Sequence, residues 1–171
     1  MNRRPLYFVN REKEYDLITK LITIIDNRTF DPKDTAVLMV SPDYSATVAM
    51  HLCHAWSRDG ELIRPIAVDV TFPDEDTAPF IERLRSQRLD ITRYKKLVLI
   101  EAGIIRGGNW TWILDTLIND FSYKREDLTL VALLENIHSK VKSDYVGEYY
   151  DNNKEDLTFY YERFNKHWPV N

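Results

Sequence analysis

The chain of 171 residues is short of glycine, with five, and carries one cysteine, Cys53. A single thiol excludes an internal disulfide and suits a cytoplasmic protein better than a secreted one. No stretch approaches the roughly 18 consecutive apolar residues of a membrane span. The opening "MNRRPLYFVNREKEYD" lacks the apolar core of a signal peptide. A cytoplasmic protein without membrane attachment is therefore expected. Excess positive charge is also missing. A net charge of -4 has the wrong sign for bulk attraction to nucleic acid, which leaves that role to local basic patches alone. Neither GxxxxGK[ST] nor GxGxxG occurs, so P-loop hydrolysis and dinucleotide binding have little support.

What is present is an ordinary globular composition, 44% apolar and 29% charged, with ten tyrosines, seven phenylalanines and four tryptophans. The length fits one domain over residues 1–171. Residues 6–9 suit a short strand, and Asn10 is a candidate N-cap with Glu12 and Glu14 in the turn it opens. Tyr15, Leu17, Ile18, Leu21, Ile22 and Ile25 repeat at helical spacing. "TAVLMV" at 35–40 has no polar alternation, as expected of a strand covered on both faces. The pattern next predicts a helix over 46–56 and a buried strand in "LIRPIAVDVTF", with Asp69 near its carboxyl end. It then predicts a strand over 97–101, a glycine loop over 103–108, a helix over 110–121 and a strand in "LTLVALLE". A last strand is expected in the aromatic tail at "LTFYYERF". This alternation predicts an α/β fold, a Rossmann-like open parallel sheet of about five strands flanked by helices, with a small C-terminal aromatic hood or edge. Ligands of such sheets lie beyond the carboxyl ends of the strands. Here "SPDYS", "DVTFPDED" and "EAGIIRGGN" converge there.

The third of these loops is the candidate anion site. Gly107 and Gly108 let backbone amides approach a ligand, Asn109 can cap a helix starting at Trp110, and Arg106 can add a charge-assisted contact. The same glycines also suit a plain strand-to-helix turn with Arg106 in water. Glu101, ending a buried strand, needs a partner: a ligand hydroxyl, a metal ion or Arg106. Asp69 either faces the same cleft or reaches solvent at the sheet edge. His51 and His54 share a helix face, but Cys53 points elsewhere and no second cluster completes a zinc site. Trp110 and Trp112 cannot share one helix face, and packing is the expected role. Arg83, Arg85, Arg88, Arg93, Lys95 and Lys96 form either a phosphate-tracking patch or a solvated helix face.

"IEAGIIRGGN" resembles the segment of type I phosphoribosyltransferases in which an apolar strand leads to two acids, two apolar residues, Asp, Thr, Gly, any residue, and Thr or Ser. Laid without gaps, the first acid falls on Glu101, the second on Ala102 and the loop aspartate on Ile105. The threonine falls on Arg106, the glycine on Gly107 and the closing hydroxyl residue on Asn109. "SPDYS" keeps Ser41 of the family's pyrophosphate loop, with Asp43 and Tyr44 at its glycine positions. "KSDYVG" is similar to the purine-type segment Lys, Pro, Asp, aromatic, Val, Gly. Lys142, Asp144, Tyr145, Val146 and Gly147 match it, with Ser143 for the proline.

The resemblance covers residues 34–162. It implies a catalytic position at Glu101 and ligand contacts from Ser41, Arg106, Gly107, Gly108, Asn109, Lys142, Tyr145 and Val146. Tyr145 would stack on a base while the Val146 backbone reads its edge. It also implies Mg²⁺ held at Glu101 and Asp69 if the chain is active, and a homodimer. Ala102 in place of the second acid weakens a magnesium site. Asp43 and Tyr44 put a negative charge and a ring where pyrophosphate would sit. The expectation is thus a phosphoribosyltransferase-like protein that binds a phosphorylated or nucleoside-like small ligand, or a nucleotide, without standard transfer. The alternatives are an active purine-type transferase with an altered site, and a non-catalytic interaction or RNA-binding regulatory protein.

Overall fold

The protein is described by a computed structural model over residues 4–40, 42–68 and 90–159, the side chains of 42–44 excepted. In chain order the elements are β1 (Leu6–Val9), α1 (Arg11–Ile24), β2 (Thr35–Met39), α2 (Pro42–Trp56), β3 (Pro65–Ala67) and β4 (Lys96–Ile104). They continue with α3 (Gly108–Asn119), β5 (Leu128–Asn136), β6 (Tyr145–Tyr150) and β7 (Asp156–Phe159).

β2, β4 and β5 are apolar along nearly their whole length because both faces are covered. Alternate residues go to opposite sides of the sheet. Val37, Val98 and Val131 pack with Leu17 and Leu21 of α1 and Leu52 and Trp56 of α2. Leu38, Leu99 and Leu130 pack with Ile113 and Leu117 of α3. The outcome is a five-stranded sheet in the order β3-β2-β4-β5-β6, parallel throughout. Truncating a completely buried member such as Leu99 to alanine removes about 2–5 kcal/mol.

α1 starts where the sequence indicates. Asn10 Oδ1 accepts the Lys13 backbone N–H at 2.8 Å, with Glu12 and Glu14 in the first turn. Other boundaries move. α2 begins at Pro42 rather than Ala46, which puts the proline in the first turn, where its missing N–H costs nothing. β4 continues past Glu101 because Gly103 and Ile104 still pair with Leu134 and Glu135 of β5. The glycine segment is thus strand at its start and a turn only from Ile105.

β1 and β7 form a separate two-stranded parallel sheet, with Leu6 opposite Asp156 and Val9 opposite Phe159. It is tied to the main body by Tyr7, whose ring lies 5.8 Å from that of Tyr150 and whose hydroxyl donates to Glu148. Lys13 completes the contact, 3.1 Å from Glu148 and over the Tyr7 ring. The expected tail strand is present as β7 as far as Phe159. Its continuation, like Ser41, Asp69, Arg83, Arg85 and Arg88, lies outside the described residues. The regular zigzag breaks at one level: Leu133 and Leu134 both join the α1/α2 core. Gly103, paired with Leu134, turns toward Leu157 and Phe159 on that same side.

Among the described residues no helix is long and apolar enough to cross a membrane, and no group of three His, Cys, Asp or Glu could hold a metal ion. His51 packs edge-on against Tyr15, and Cys53 is buried with its thiol pushed up to about 12 by desolvation.

Candidate functional site

The carboxyl ends of β2 and β4 open into a cleft of about 650 Å³. Its floor is Glu101, Gly103 and Ile104 of β4, and the turn 105–109 forms one side. Trp110 and Ile113 of α3 close one end, and Leu157 and Phe159 of β7 form the facing wall. Leu157 Cδ2 would lie 2.8 Å from a Cβ on Gly103, so the lack of a side chain at that position lets β7 sit this close without a shift of Leu157.

Glu101 reaches the cleft from a buried strand and is 7% exposed. Its Oε1 accepts the Ala102 backbone N–H at 3.0 Å. Ala102 is completely buried with Val98 and Ile100 in the α1/α2 core. A carboxylate at that position would be desolvated among aliphatic groups rather than presented to the cleft.

The turn owes its shape to Gly107. It stands in the left-handed region, φ 75° and ψ 4°, as the N-cap of α3. The helix therefore begins at Gly108 and not at Trp110, and Asn109 is an exposed first-turn residue rather than the cap. The Thr111 N–H is bonded back to the Gly107 carbonyl at 3.1 Å. The amides of Gly108, Asn109 and Trp110 come before it and have no partner within the helix. A Cβ on Gly108 would meet nothing within 4 Å, so this helix end is open to the cleft. Arg106 is exposed at the rim, and Trp110, 4% exposed, is packed as expected.

Two further residues that sequence reasoning missed hold the turn. Asn136, 1% exposed, donates from Nδ2 to the Ile105 carbonyl at 2.6 Å. Its Oδ1 accepts the backbone N–H of His138 at 3.2 Å and of Asn152 at 3.4 Å. One amide thereby joins the β4–α3, β5–β6 and β6–β7 connections. Ser139, buried, lies against Gly107, and the Lys140 N–H donates to the Arg106 carbonyl at 3.1 Å. The available signal was a polar pair, Glu135 and Asn136, ending an otherwise apolar strand.

Of the sequence-derived site residues, the structure brings Glu101, Arg106, Gly107, Gly108 and Asn109 to one cleft. Lys142, Tyr145 and Val146 are not in its lining. Tyr145 and Val146 pair with Val131 and Ala132, which places them level with Ile100 and Glu101 but two strands away, roughly 10 Å. The Lys142 ammonium lies 3.3 Å from Glu135 and donates to the Ile137 carbonyl at 3.0 Å. Asp144 accepts the Leu130 N–H at 2.8 Å and pairs with Arg125.

No protein-family model matches the chain, and no curated protein matches it. Solved structures do. The xanthine-guanine-hypoxanthine phosphoribosyltransferase of Helicobacter pylori superposes with TM-score 0.59 at 13% identity over 94% of each chain. A purine phosphoribosyltransferase from Pyrococcus horikoshii gives 0.57 at 11% identity, covering 92% of this chain and 93% of that one. A hypothetical protein from Neisseria gonorrhoeae, described with bound ppGpp, gives 0.63 at 11% identity, covering 93% and 90%. At such identities the likeness shows the fold: an α/β chain with a five-stranded parallel sheet of the type I phosphoribosyltransferase kind.

Proposed function

We propose that the cleft binds a phosphorylated, nucleoside-like small molecule and that the chain does not carry out standard phosphoribosyl transfer. In this reading the anion sits at the first turn of α3 with Arg106 over it, and Glu101 accepts a hydrogen bond from a ligand hydroxyl. The family resemblance adds Ser41 as a ligand contact and Asp69 as a Mg²⁺ position, and both lie outside the described residues. No contact is assigned to Lys142, Tyr145 or Val146.

The observation that carries the reading is the built turn. Gly107 is left-handed against a fixed crossover, and Gly108 leaves the helix end open toward about 650 Å³ of cleft, a volume usual for small-molecule sites. The ppGpp in the Neisseria gonorrhoeae neighbour supports a nucleotide as the class of ligand. Against standard transfer stands Ala102, which occupies the second acid's place from inside the core. Among the described lining residues Glu101 is the one carboxylate. Mg²⁺ would then depend on Asp69 or on ligand phosphates for its other oxygens, and the proposed binding mode needs no metal.

Titration calorimetry with purine nucleotides and with phosphoribosyl pyrophosphate, with and without Mg²⁺, tests this. Binding of at least one nucleotide is expected, weakened about tenfold or more in Arg106→Ala through loss of a charge-assisted contact. Absence of heat from every ligand would overturn the reading. Base-dependent release of pyrophosphate would favour the active-transferase alternative instead.

A further inference from the structure

The crossover between β5 and β6 is the mould for the ligand turn. A Cβ on Gly107 would stand 2.4 Å from Ser139 Oγ, 2.9 Å from the Val141 nitrogen and 3.3 Å from the Lys140 nitrogen. Ser139 Oγ is itself anchored on the Val141 carbonyl at 2.8 Å, and the Lys140 N–H is bonded to the Arg106 carbonyl. Three consecutive crossover residues therefore fix the direction in which α3 starts.

That crossover is closed at its base by one buried charge. Glu135, at the end of β5, has a side chain with no exposure. Its Oε2 accepts the Ser143 N–H at 2.7 Å, and its Oε1 lies 3.3 Å from Lys142 Nζ. The same ammonium donates to the Ile137 carbonyl at 3.0 Å. Residues 137–143 are thus clasped at both ends through Glu135 and Lys142. Among the described groups, Lys142 is the cation that balances the Glu135 carboxylate. A buried carboxylate deprived of its counter-charge is strongly unfavourable, and opening of the crossover to water relieves it.

We infer that Glu135 and Lys142 are a positioning pair for the ligand turn: Lys142 acts through Glu135 on the crossover and, through Ser139, Lys140 and Val141, on Gly107, without touching the ligand. Since the Lys142 side chain is 56% exposed, acetylation or any other loss of its charge would loosen the turn from outside the cleft. The effect on affinity rests on the proposed ligand, whereas the effect on the turn does not.

Amide hydrogen exchange at Lys140, Ser143 and Thr111 of the ligand-free chain, whose N–H groups are bonded to the Arg106 carbonyl, the Glu135 carboxylate and the Gly107 carbonyl, provides the test, with nucleotide affinity as a separate measurement. Lys142→Gln is expected to speed exchange there about tenfold or more, with little change at the distant strands β2 and β3. Lys142→Arg should restore protection. Glu135→Gln combined with Lys142→Gln removes both charges and should return exchange, and any measured affinity, toward wild type. A Lys142 that contacted the ligand directly would leave the double variant as defective in binding as the single one, which would overturn the inference. Unchanged exchange in Lys142→Gln would overturn it as well. If Lys142→Gln alone does not fold, a double variant that regains the fold supports the pair, and one that stays unfolded counts against it. Loss of all nucleotide binding in the wild-type chain would sink the proposed function and leave the exchange result standing.

Discussion

Gly107 and Gly108 are neighbours in sequence, yet alanine at the two positions should have opposite consequences. At Gly107 the backbone is left-handed, with φ 75°, which disfavours an L-residue by about 1–2 kcal/mol. The added Cβ would also stand 2.4 Å from Ser139 Oγ and 2.9 Å from the Val141 nitrogen. Neither atom yields cheaply, since Ser139 is 6% exposed and its hydroxyl holds the Val141 carbonyl. Overpacking of this kind costs roughly 1–3 kcal/mol more. Gly107→Ala should therefore lose about 2–5 kcal/mol. At Gly108 there is no positive φ and nothing within 4 Å of a Cβ. Gly108→Ala should be neutral or gain up to about 1 kcal/mol, because alanine restricts the unfolded chain and favours helix. Urea denaturation of both variants, fitted for free energy and for slope, measures the difference directly. A Gly107→Ala protein within about 0.5 kcal/mol of wild type, with unchanged slope, would refute the mould described for this turn.

Other consequences can be checked alongside. Gly103→Ala should cost roughly 1–3 kcal/mol through the 2.8 Å approach to Leu157 Cδ2, and because that atom ends a side chain, adding Leu157→Ala should recover part of the loss. Asn136→Asp replaces the donor to the Ile105 carbonyl with a buried oxygen anion; about 3 kcal/mol should be lost, and exchange at Lys140, whose N–H is bonded to the Arg106 carbonyl, should rise first. Burial alone would raise the pKa of Glu148, but the Tyr7 hydrogen bond and the Lys13 ammonium outweigh it and hold the carboxyl below its usual value. That contribution is present above the unfolded-state pKa of about 4.3 and disappears as pH falls through the lower folded value. Glu148→Gln should accordingly flatten the acid limb of stability against pH; an unaltered limb would show that the contact between β1 and β6 contributes nothing. Cys53, 2% exposed and with its thiol pushed up to about 12 by burial, should resist alkylation at pH 8 until the chain unfolds. Labelling at the rate of a free thiol in native buffer would contradict that burial.

The sheet was largely legible in the amino-acid sequence because its signals are local. Apolar runs in β2 and β5, the Asn10 cap and helical spacing through α1 each lie within one element. The errors arise where a distant partner decides. β4 extends to Ile104 because β5 is there to pair with it, and the cap of α3 falls on Gly107 because residues 139–141 press against that position. Asparagine is a common helix cap, so local chemistry alone points to Asn109, whereas the left-handed Gly107 takes that position. Asn136 and the pair of Glu135 with Lys142 carried weak signals, since a polar residue ending a strand is ordinarily taken as facing solvent. Only the return of the crossover over β5 makes those groups internal.

The pairing of β1 with β7 bears on when the cleft comes into existence. Its outer wall, Leu157 and Phe159, stands on a ribbon whose other strand is residues 6–9. Bringing together segments so far apart carries a closure entropy that local helices and hairpins escape. The five-stranded body holds most of the core and can assemble before the ribbon docks on Gly103. During synthesis, which releases the chain from its amino end, residues 6–9 must wait without a partner strand until residue 159 has emerged. Ligand capture should then follow formation of the five-stranded sheet, and a ligand that touches β7 would speed up its final docking rather than the growth of the sheet.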